Sequence, residues 1–131
     1  MNFSSNSSNN SRQITFSICT PCHNSANTIK SVHQSMENLE YKNFEWILIN
    51  DASSDETSSI IYEIMESSDI DIKFYDLEEN RMVTYCYHLA AEVAEGEFLI
   101  YLDHDDSIKP NALNRFLHHW NNISNEDKQD L

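Results

Sequence analysis

Three carboxylates lie within four residues, directly after an apolar run. Phe98–Leu102 is apolar and is followed at once by Asp103, His104, Asp105 and Asp106. Two carboxylates about 4–5 Å apart repel each other by about 3–4 kcal/mol at an effective dielectric constant near 20. A divalent cation offsets this repulsion, and Mg²⁺ or Mn²⁺ is typically held by one or two carboxylates plus substrate phosphates. Capping of the next helix would explain one of the acids comfortably and three poorly, so the cluster predicts a cation or ligand site.

Other polar residues also follow apolar runs. The segment Cys22–Asn24 comes after the first run, and Asp51 directly follows the second. Asp51 could cap the next helix, but Ser53 and Glu56 have the spacing of a capping box and would leave its carboxylate free for a nucleobase or a ribose. His104 either contacts a ligand or merely lies in the negative field of its neighbours.

The segment Cys19–His23 (CTPCH) has a Cys-x-x-Cys pattern followed by a histidine. This spacing is typical of thioredoxin-like redox sites, and with the histidine it also matches the c-type haem attachment pattern. A thioredoxin-like site needs a proline from a later loop, and Pro110 follows the acidic cluster instead. Haem attachment needs export, for which the N-terminus gives no signal. We therefore expect Cys19 to lie in the core, Cys86 to be a buried helix residue and the thiols to be reduced.

The elements that position these residues alternate from residue 14 onward. Strands are predicted at residues 14–20, 44–50, 70–77 and 97–102, and helices at 26–39, around 57–65, at 82–95 and from Pro110. Asn24 or Ser25 would cap the first helix, and Pro110 suits the first position of the last. The alternation implies an α/β fold, a mostly parallel sheet with helices on both faces. Ligands bind beyond the carboxyl ends of such strands, so the polar loops should meet at one edge.

Composition limits the class of protein. The 131 residues suffice for one domain, and 8 Lys+Arg against 22 Asp+Glu give a net charge of -14, which argues against a nucleic-acid partner. The single glycine, Gly96, excludes a P-loop and a dinucleotide fingerprint. No window is apolar enough for a membrane span or a signal peptide, so we expect a cytoplasmic protein that is not integral to a membrane. Residues 1–13 are expected to be a flexible Ser/Asn-rich tail, and residues 125–131 to fray.

Three motifs in order give the chain a resemblance to a known family. TPCHN (20–24) follows the first strand, NDASSDET (50–57) follows the second, and AEGEFLIYLDHDD (94–106) spans the last. They are similar to Pro-Thr-Tyr-Asn, Asp-Asp-Gly-Ser-Thr-Asp-x-Thr, and Ala-x-Gly-Glu followed by Leu-Asp-x-Asp-Asp, the motifs of the family 2 inverting glycosyltransferases. The resemblance covers about residues 14–123. It implies a GT-A, Rossmann-like fold and a nucleotide-sugar-binding domain at 14–124.

The resemblance implies a role for each matching residue. Those expected to bind the nucleotide-sugar are Pro21, Cys22, His23, Asn24, Asp51, Asp103, His104 and Asp106. Asp103 and Asp105 would be the Asp-x-Asp pair, with Asp105 toward a Mn²⁺ or Mg²⁺ ion on the diphosphate and Asp103 toward the ribose, the sugar or the metal. A UDP-sugar is the expected donor.

The chain departs from the family pattern at several positions. Cys22 and His23 replace the usual Thr and Tyr, Asn50 replaces the first Asp, and Ala52 replaces a turn glycine. The family's Ala-Arg-Asn-x-Gly becomes CYHLA at residues 86–90, without the Arg and Asn that often line the donor site.

The acceptor-binding strands and the carboxylate base that the family adds after its Asp-x-Asp motif are not identifiable in this chain. No catalytic residue is therefore assigned, and a partner chain or further polypeptide would supply the acceptor half. An inactive remnant or interaction module of a longer transferase is the alternative. A phosphoacceptor receiver domain fits poorly, because Lys73 precedes the centre of its strand and no matching Thr follows.

Overall fold

The computed structural model describes residues 13–123 and 125–129. The strands are β1 (Phe16–Cys22), β2 (Phe44–Asp51), β3 (Asp71–Leu77) and β4 (Phe98–Tyr101). The helices are α1 (Ile29–Glu37), α2 (Thr57–Ser67), α3 (Met82–Val93), α4 (Ala112–Asn121) and α5 (Asn125–Gln129). Of the two predicted tails, residues 1–12, 130 and 131 lie outside the described residues, and residues 125–129 form α5. The domain limits at 14 and 124 stay a prediction.

The four strands form one parallel sheet in the order β3-β2-β1-β4. β1 pairs with β2 on one side and β4 on the other, and β2 also pairs with β3. Helices α1, α2 and α3 form the crossovers that parallel pairing requires. The predicted α/β class is confirmed, and the carboxyl ends of all four strands lie along one edge.

Helices cover both faces of the sheet. On one face, Phe16 and Ile18 of β1 belong to a core that also contains buried residues of α1, α2 and α4. On the other face, Cys19 packs in a smaller cluster with Cys86 and Ala90 of α3. Because side chains alternate along a strand, one short strand can supply both cores. In the described ranges no helix has the length and apolar character to cross a lipid bilayer.

A charged network lies near the amino ends of the strands. The Glu45 carboxylate, almost fully buried, accepts hydrogen bonds from Ser17 Oγ at 2.6 Å and from the Glu95 backbone N–H at 2.7 Å. Lys73 Nζ lies 2.9 Å from the Glu45 carboxylate and 3.2 Å from that of Glu95. Burial alone raises the pKa of Glu45, but the hydrogen bonds and Lys73 outweigh it and hold that pKa below its usual value.

The single glycine is required beside this network. The Gly96 N–H donates to Ser17 Oγ at 2.8 Å. A Cβ at residue 96 would lie 2.6 Å from that oxygen and 2.8 Å from the carbonyl carbon of Phe16. Such distances are too short for any side chain, so only glycine allows this segment to approach β1 closely.

The helix starts differ from the sequence prediction. The N-cap of α1 is Thr28, where the sequence predicts Asn24 or Ser25, and α2 begins without the predicted capping box of Ser53 and Glu56. Ser53 Oγ instead accepts the Asn24 N–H at 2.8 Å. Because the Ser53 hydroxyl bonds to the neighbouring loop, it stabilises the contact between the two loops and does not cap α2.

Ala52 has a left-handed backbone, with φ of 53°. This conformation costs an L-residue about 1–2 kcal/mol but costs glycine little. We expect Ala52→Gly to raise the free energy of unfolding by about 1 kcal/mol, and Ala91→Gly, at an exposed position of α3, to lower it by about 1 kcal/mol. Urea denaturation of the two variants measures both changes. Destabilisation by both substitutions would contradict the argument.

Candidate functional site

An open cavity of about 640 Å³ lies at the carboxyl edge of the sheet. Its volume is within the range of small-molecule sites. The ends of β1 and β2, the start of α3 and the loop after β4 converge on it. The residues that line it are Pro21, Cys22, His23, Asp51, Asn80, Met82, Val83, Cys86, Asp103, His104 and Asp105. The structure thus brings together the site residues predicted from the sequence, except Asn24 and Asp106.

The Asp51 carboxylate holds the start of α3. Oδ1 accepts the backbone N–H of Arg81 at 2.6 Å, and Oδ2 accepts that of Met82 at 2.9 Å. A carboxylate at this position satisfies N–H groups that have no partner within the helix and is favoured by the helix dipole. The sequence expectation that Ser53 leaves the Asp51 carboxylate free is therefore wrong, although Asp51 does line the cavity.

His23 is held by the backbone of β2. Its Nδ1 lies 2.9 Å from the Asp51 carbonyl oxygen, and its own backbone N–H donates to Ser25 Oγ at 3.1 Å. Because a carbonyl oxygen can only accept, Nδ1 carries the hydrogen. The preceding Cys22 thiol donates to the Thr20 carbonyl at 3.5 Å, back along its own strand.

Asn24 joins two loops at the rim of the cavity and is not among the lining residues. It has a φ of 50°, in the left-handed region that Asn tolerates better than most residues. Its N–H donates to Ser53 Oγ, and its Oδ1 accepts the Ser54 N–H at 2.8 Å. The Ala26 N–H donates to Asp55 Oδ2 at 3.1 Å. These bonds tie the β1–α1 loop to the β2–α2 loop and so fix the lining residues next to them.

The acidic loop presents two carboxylates to the cavity. Asp103 and Asp105 line it and are exposed, whereas Asp106 is not a lining residue. The Asp106 N–H donates to the Asp103 carbonyl at 3.2 Å, and its carboxylate accepts the Ser107 N–H at 2.9 Å. Nδ1 of His104 is buried without a hydrogen-bond partner in the described structure. The third carboxylate therefore serves the turn of the loop itself.

The three thiols are free and buried. Burial is the largest cause that raises the pKa of Cys19 and of Cys22 to about 12 and that of Cys86 to about 11. Redox-active thiols require the opposite shift, toward the thiolate. The expectation that Cys19 lies in the core is confirmed, and the thiol pKa values argue against a redox site at the Cys-x-x-Cys segment.

The start of α3 forms a wall that the sequence reasoning missed. Asn80, Met82 and Val83 line the cavity, and the latter two are exposed apolar residues. Met82 has a φ of 72°, an unusual conformation for a bulky residue and one that is often found at functional sites. The available signal was position, because these residues follow the end of β3 just as His23 follows the end of β1. Arg81 packs over the Tyr85 ring at 4.6 Å and is not a lining residue.

The acidic loop supplies two carboxylates that could hold a metal ion. Among residues 13–123 and 125–129, no group of three or more His, Cys, Asp or Glu side chains is arranged to hold a metal ion. The two carboxylates of Asp103 and Asp105 match the number that Mg²⁺ or Mn²⁺ takes from a protein when phosphate oxygens and water complete its shell. These residues fit a cation that binds together with a phosphorylated ligand, and the metal itself stays a proposal.

Known proteins are similar to this chain in sequence and in architecture. The model of the family described as "Glycosyl transferase family 2" matches residues 17–126. The chain belongs to this family. Among the relatives of this family 2 chain is a poly-beta-1,6-N-acetyl-D-glucosamine synthase of Staphylococcus epidermidis, 38% identical over 96 residues, which are 73% of this chain and 23% of that protein. The chain thus spans about a quarter of the length of this relative.

Solved structures confirm the GT-A fold of the family 2 chain. S. aureus TarS 1-349, solved in complex with UDP-GlcNAc, superposes with a TM-score of 0.73 at 25% identity, covering 82% of this chain and 31% of that one. The mannosyltransferase PcManGT from Pyrobaculum calidifontis, solved in complex with GDP-Man and Mn²⁺, gives a TM-score of 0.70 at 22% identity, covering 75% and 30%. The second likeness shows the shared fold alone.

Proposed function

We propose that the cavity binds a nucleotide-sugar donor, with a UDP-sugar favoured, together with Mn²⁺ or Mg²⁺. One observation carries this proposal: a family 2 chain places Asp51 and His23 on the same cavity as the Asp103 and Asp105 carboxylates. TarS, which shares the fold, was solved with UDP-GlcNAc. A cavity of about 640 Å³ is large enough for such a ligand.

The charge of the site supports the need for a cation. No Lys or Arg is among the described residues that line the cavity, and the chain as a whole carries a net charge of -14. A diphosphate at the acidic loop would therefore meet the carboxylates of Asp103 and Asp105, with Asp51 also on the cavity and no Lys or Arg to compensate. Asp105 and Asp103 would hold a divalent ion, which would offset this repulsion and supply the charge stabilisation that a departing diphosphate needs.

The rest of the cavity is assigned to the nucleoside. Pro21, Cys22, His23 and Asp51 lie at the ends of β1 and β2, away from the acidic loop in sequence and joined to α3 by the Asp51 carboxylate. We assign the base and ribose to this end and the diphosphate to the Asp103–Asp105 end. Asn24 and Asp106 would then act indirectly, by holding their loops.

Transfer of the sugar needs an acceptor site and a base that deprotonates the acceptor hydroxyl. We assign neither to a described residue. We propose that the chain is the donor-binding part of a transferase and that further polypeptide, in the same protein or in a partner chain, supplies the acceptor part. A transfer assay on the chain together with the polypeptide that supplies the acceptor part distinguishes this role, which predicts turnover, from that of an inactive remnant, which binds the donor without turnover.

Isothermal titration of the chain with UDP tests donor binding directly. We expect UDP to bind in the presence of Mn²⁺ and to bind at least about 10-fold more weakly in EDTA, because the cation neutralises the diphosphate. Uridine is the control, since it has no phosphate and its weaker binding should be insensitive to Mn²⁺. Equal UDP binding with and without metal would contradict the metal assignment, and absence of UDP binding in both would contradict the whole proposal.

A further inference from the structure

We propose that a second pocket, formed by aromatic side chains, binds a small organic cation with a methylated ammonium group, such as choline. This aromatic pocket has a volume of about 430 Å³. The residues that line it are Phe98, Phe116, His119, Trp120, Ile123 and Lys128. None of them lines the cavity at the carboxyl edge of the sheet. Phe98 is the first residue of β4, whereas the acidic loop follows the other end of that strand, so the proposal is independent of the donor site.

Three aromatic rings form the walls of the pocket. Phe116 and Trp120 lie one turn apart on α4, and their rings are nearly parallel, with an interplanar angle of 9° and centroids 6.4 Å apart. The Phe98 ring is steeply inclined to both, at 67° to Phe116 and 76° to Trp120, with each pair of centroids 4.9 Å apart. Aromatic rings carry negative charge density on their faces, and rings that enclose one space are the usual means of binding a quaternary ammonium group.

The chain places one of its own cations in this pocket. Nζ of Lys128, in α5, lies 4.6 Å from the centroid of the Trp120 ring. This distance is within the range of a cation–π interaction, which extends to about 6 Å. The contact is an observation independent of the ring geometry, and it indicates that the face of Trp120 accommodates a positive charge.

The side chains of the pocket favour an ammonium group without N–H bonds. Among the described residues that line it, His119 has the only side chain that accepts a hydrogen bond well, since Lys and Trp are donors only. A primary ammonium would exchange the water around its three N–H groups for almost no acceptors. A trimethylammonium group has no N–H and places its methyl groups against the rings. Lys128 is only partly buried, so its own ammonium keeps access to water.

The charge of the chain also favours a cation over an anionic ligand. The net charge is -14. Glu97 precedes Phe98 in the sequence, at one side of the pocket. Asp127 precedes Lys128 at another. A negative field of this kind attracts a small cation and repels a carboxylate or a phosphate.

Titration of the full chain with choline and two analogues tests the proposal. One analogue is ethanolamine, which has a primary ammonium group, and the other is the neutral isostere of choline in which a tert-butyl group replaces the trimethylammonium group. We expect isothermal titration to show choline binding about 10-fold or more tightly than either analogue. Equal binding of choline and its neutral isostere would identify a merely apolar pocket and overturn the proposal. Absence of choline binding at up to about 20 mM would also overturn it.

A substitution of the resident cation locates the site. Lys128→Met keeps an unbranched side chain but removes the charge, so it should bind choline about 5-fold more tightly, because a like charge no longer occupies the face of Trp120. Lys30→Met is the matched control, since it removes the same charge at an exposed position of α1 and should bind choline as the wild type does. Equal affinity of the two variants for choline would contradict the assignment of Lys128 to the site.

Trp120→Leu should bind choline about 10-fold more weakly than the wild type, with circular dichroism as the check of folding. Proton NMR of the wild-type chain gives a readout that does not need this variant to fold. We expect choline to shift the indole N–H resonance of Trp120, assigned by its absence from the spectrum of Trp120→Phe, and to leave that of the fully buried Trp46 unchanged. A Trp120 resonance that does not move while choline binds would overturn the proposal.

Discussion

We expect Asp105→Asn to weaken the binding of UDP in Mn²⁺ by about 100-fold and Asp106→Asn to change it by less than about 3-fold. The reason for the difference is position. Asp105 lines the cavity, where its charge is the expected ligand of the cation, and Asp106 is used by the turn of its own loop. A neutral amide keeps the shape of the side chain but loses the charge that holds a hard cation.

The two adjacent acids make a matched pair for this measurement. Both are exposed, both belong to the same loop, and both substitutions raise the net charge of the chain by one unit. The long-range electrostatic interaction between the chain and the ligand therefore changes equally in the two variants. Isothermal titration of UDP in Mn²⁺ and in EDTA measures the effect, and Asp105→Asn should bind UDP in Mn²⁺ about as weakly as the wild type does in EDTA. Equal weakening by the two variants would refute a direct role for Asp105.

The fold could be predicted from the sequence because burial has a simple periodic signature. β2 is buried at every position, and the unbroken apolar run Trp46–Ile49 at its centre is typical of a strand covered on both faces. The spacing of Ile29, Val32 and Met36 likewise marks the buried side of α1. The residues at which strands and helices begin and end were harder to predict. β1 extends to Cys22 where the sequence predicts an end at residue 20, and α4 begins at Ala112, two residues after Pro110.

The positions of polar residues at the ends of the predicted strands indicated which residues meet at the cavity. They did not indicate which hydrogen bonds those residues form. The Asp51 carboxylate was expected to have no hydrogen-bond partner within the chain. In the structure it accepts the backbone N–H groups of Arg81 and Met82, about thirty residues later in the chain. No pattern within a short stretch of sequence predicts such a bond, because a cap of this kind depends on how α3 packs against β2. The same contact brings Asn80 and Met82 into the cavity, which is why the α3 wall was missed.

Glu45→Gln is expected to lower the free energy of unfolding at pH 7 by about 2–3 kcal/mol. Breaking a buried pair costs about 3–5 kcal/mol, and Lys73, partly exposed, recovers some of this through water. Glu95→Gln is the matched control, because Glu95 contacts the same Lys73 but its side chain is 78% exposed. An exposed pair contributes about 0–1 kcal/mol, so this second variant should be nearly as stable as the wild type.

The pH dependence of the Glu45→Gln effect separates charge from packing. The pKa of Glu45 is lowered in the folded chain, so its contribution is fully present above its ordinary pKa near 4.5 and is lost as the pH falls through the folded value. The pKa of Lys73 is raised, chiefly by its hydrogen bond to Glu45, and its contribution is lost only as the pH rises through that higher value. Urea denaturation between pH 7 and pH 3 should therefore show the stability difference between the wild type and Glu45→Gln narrowing as the pH falls below about 4.5. A difference that stays constant across this range would mean that Glu45 acts through its shape and hydrogen bonds, and that its charge contributes nothing to stability.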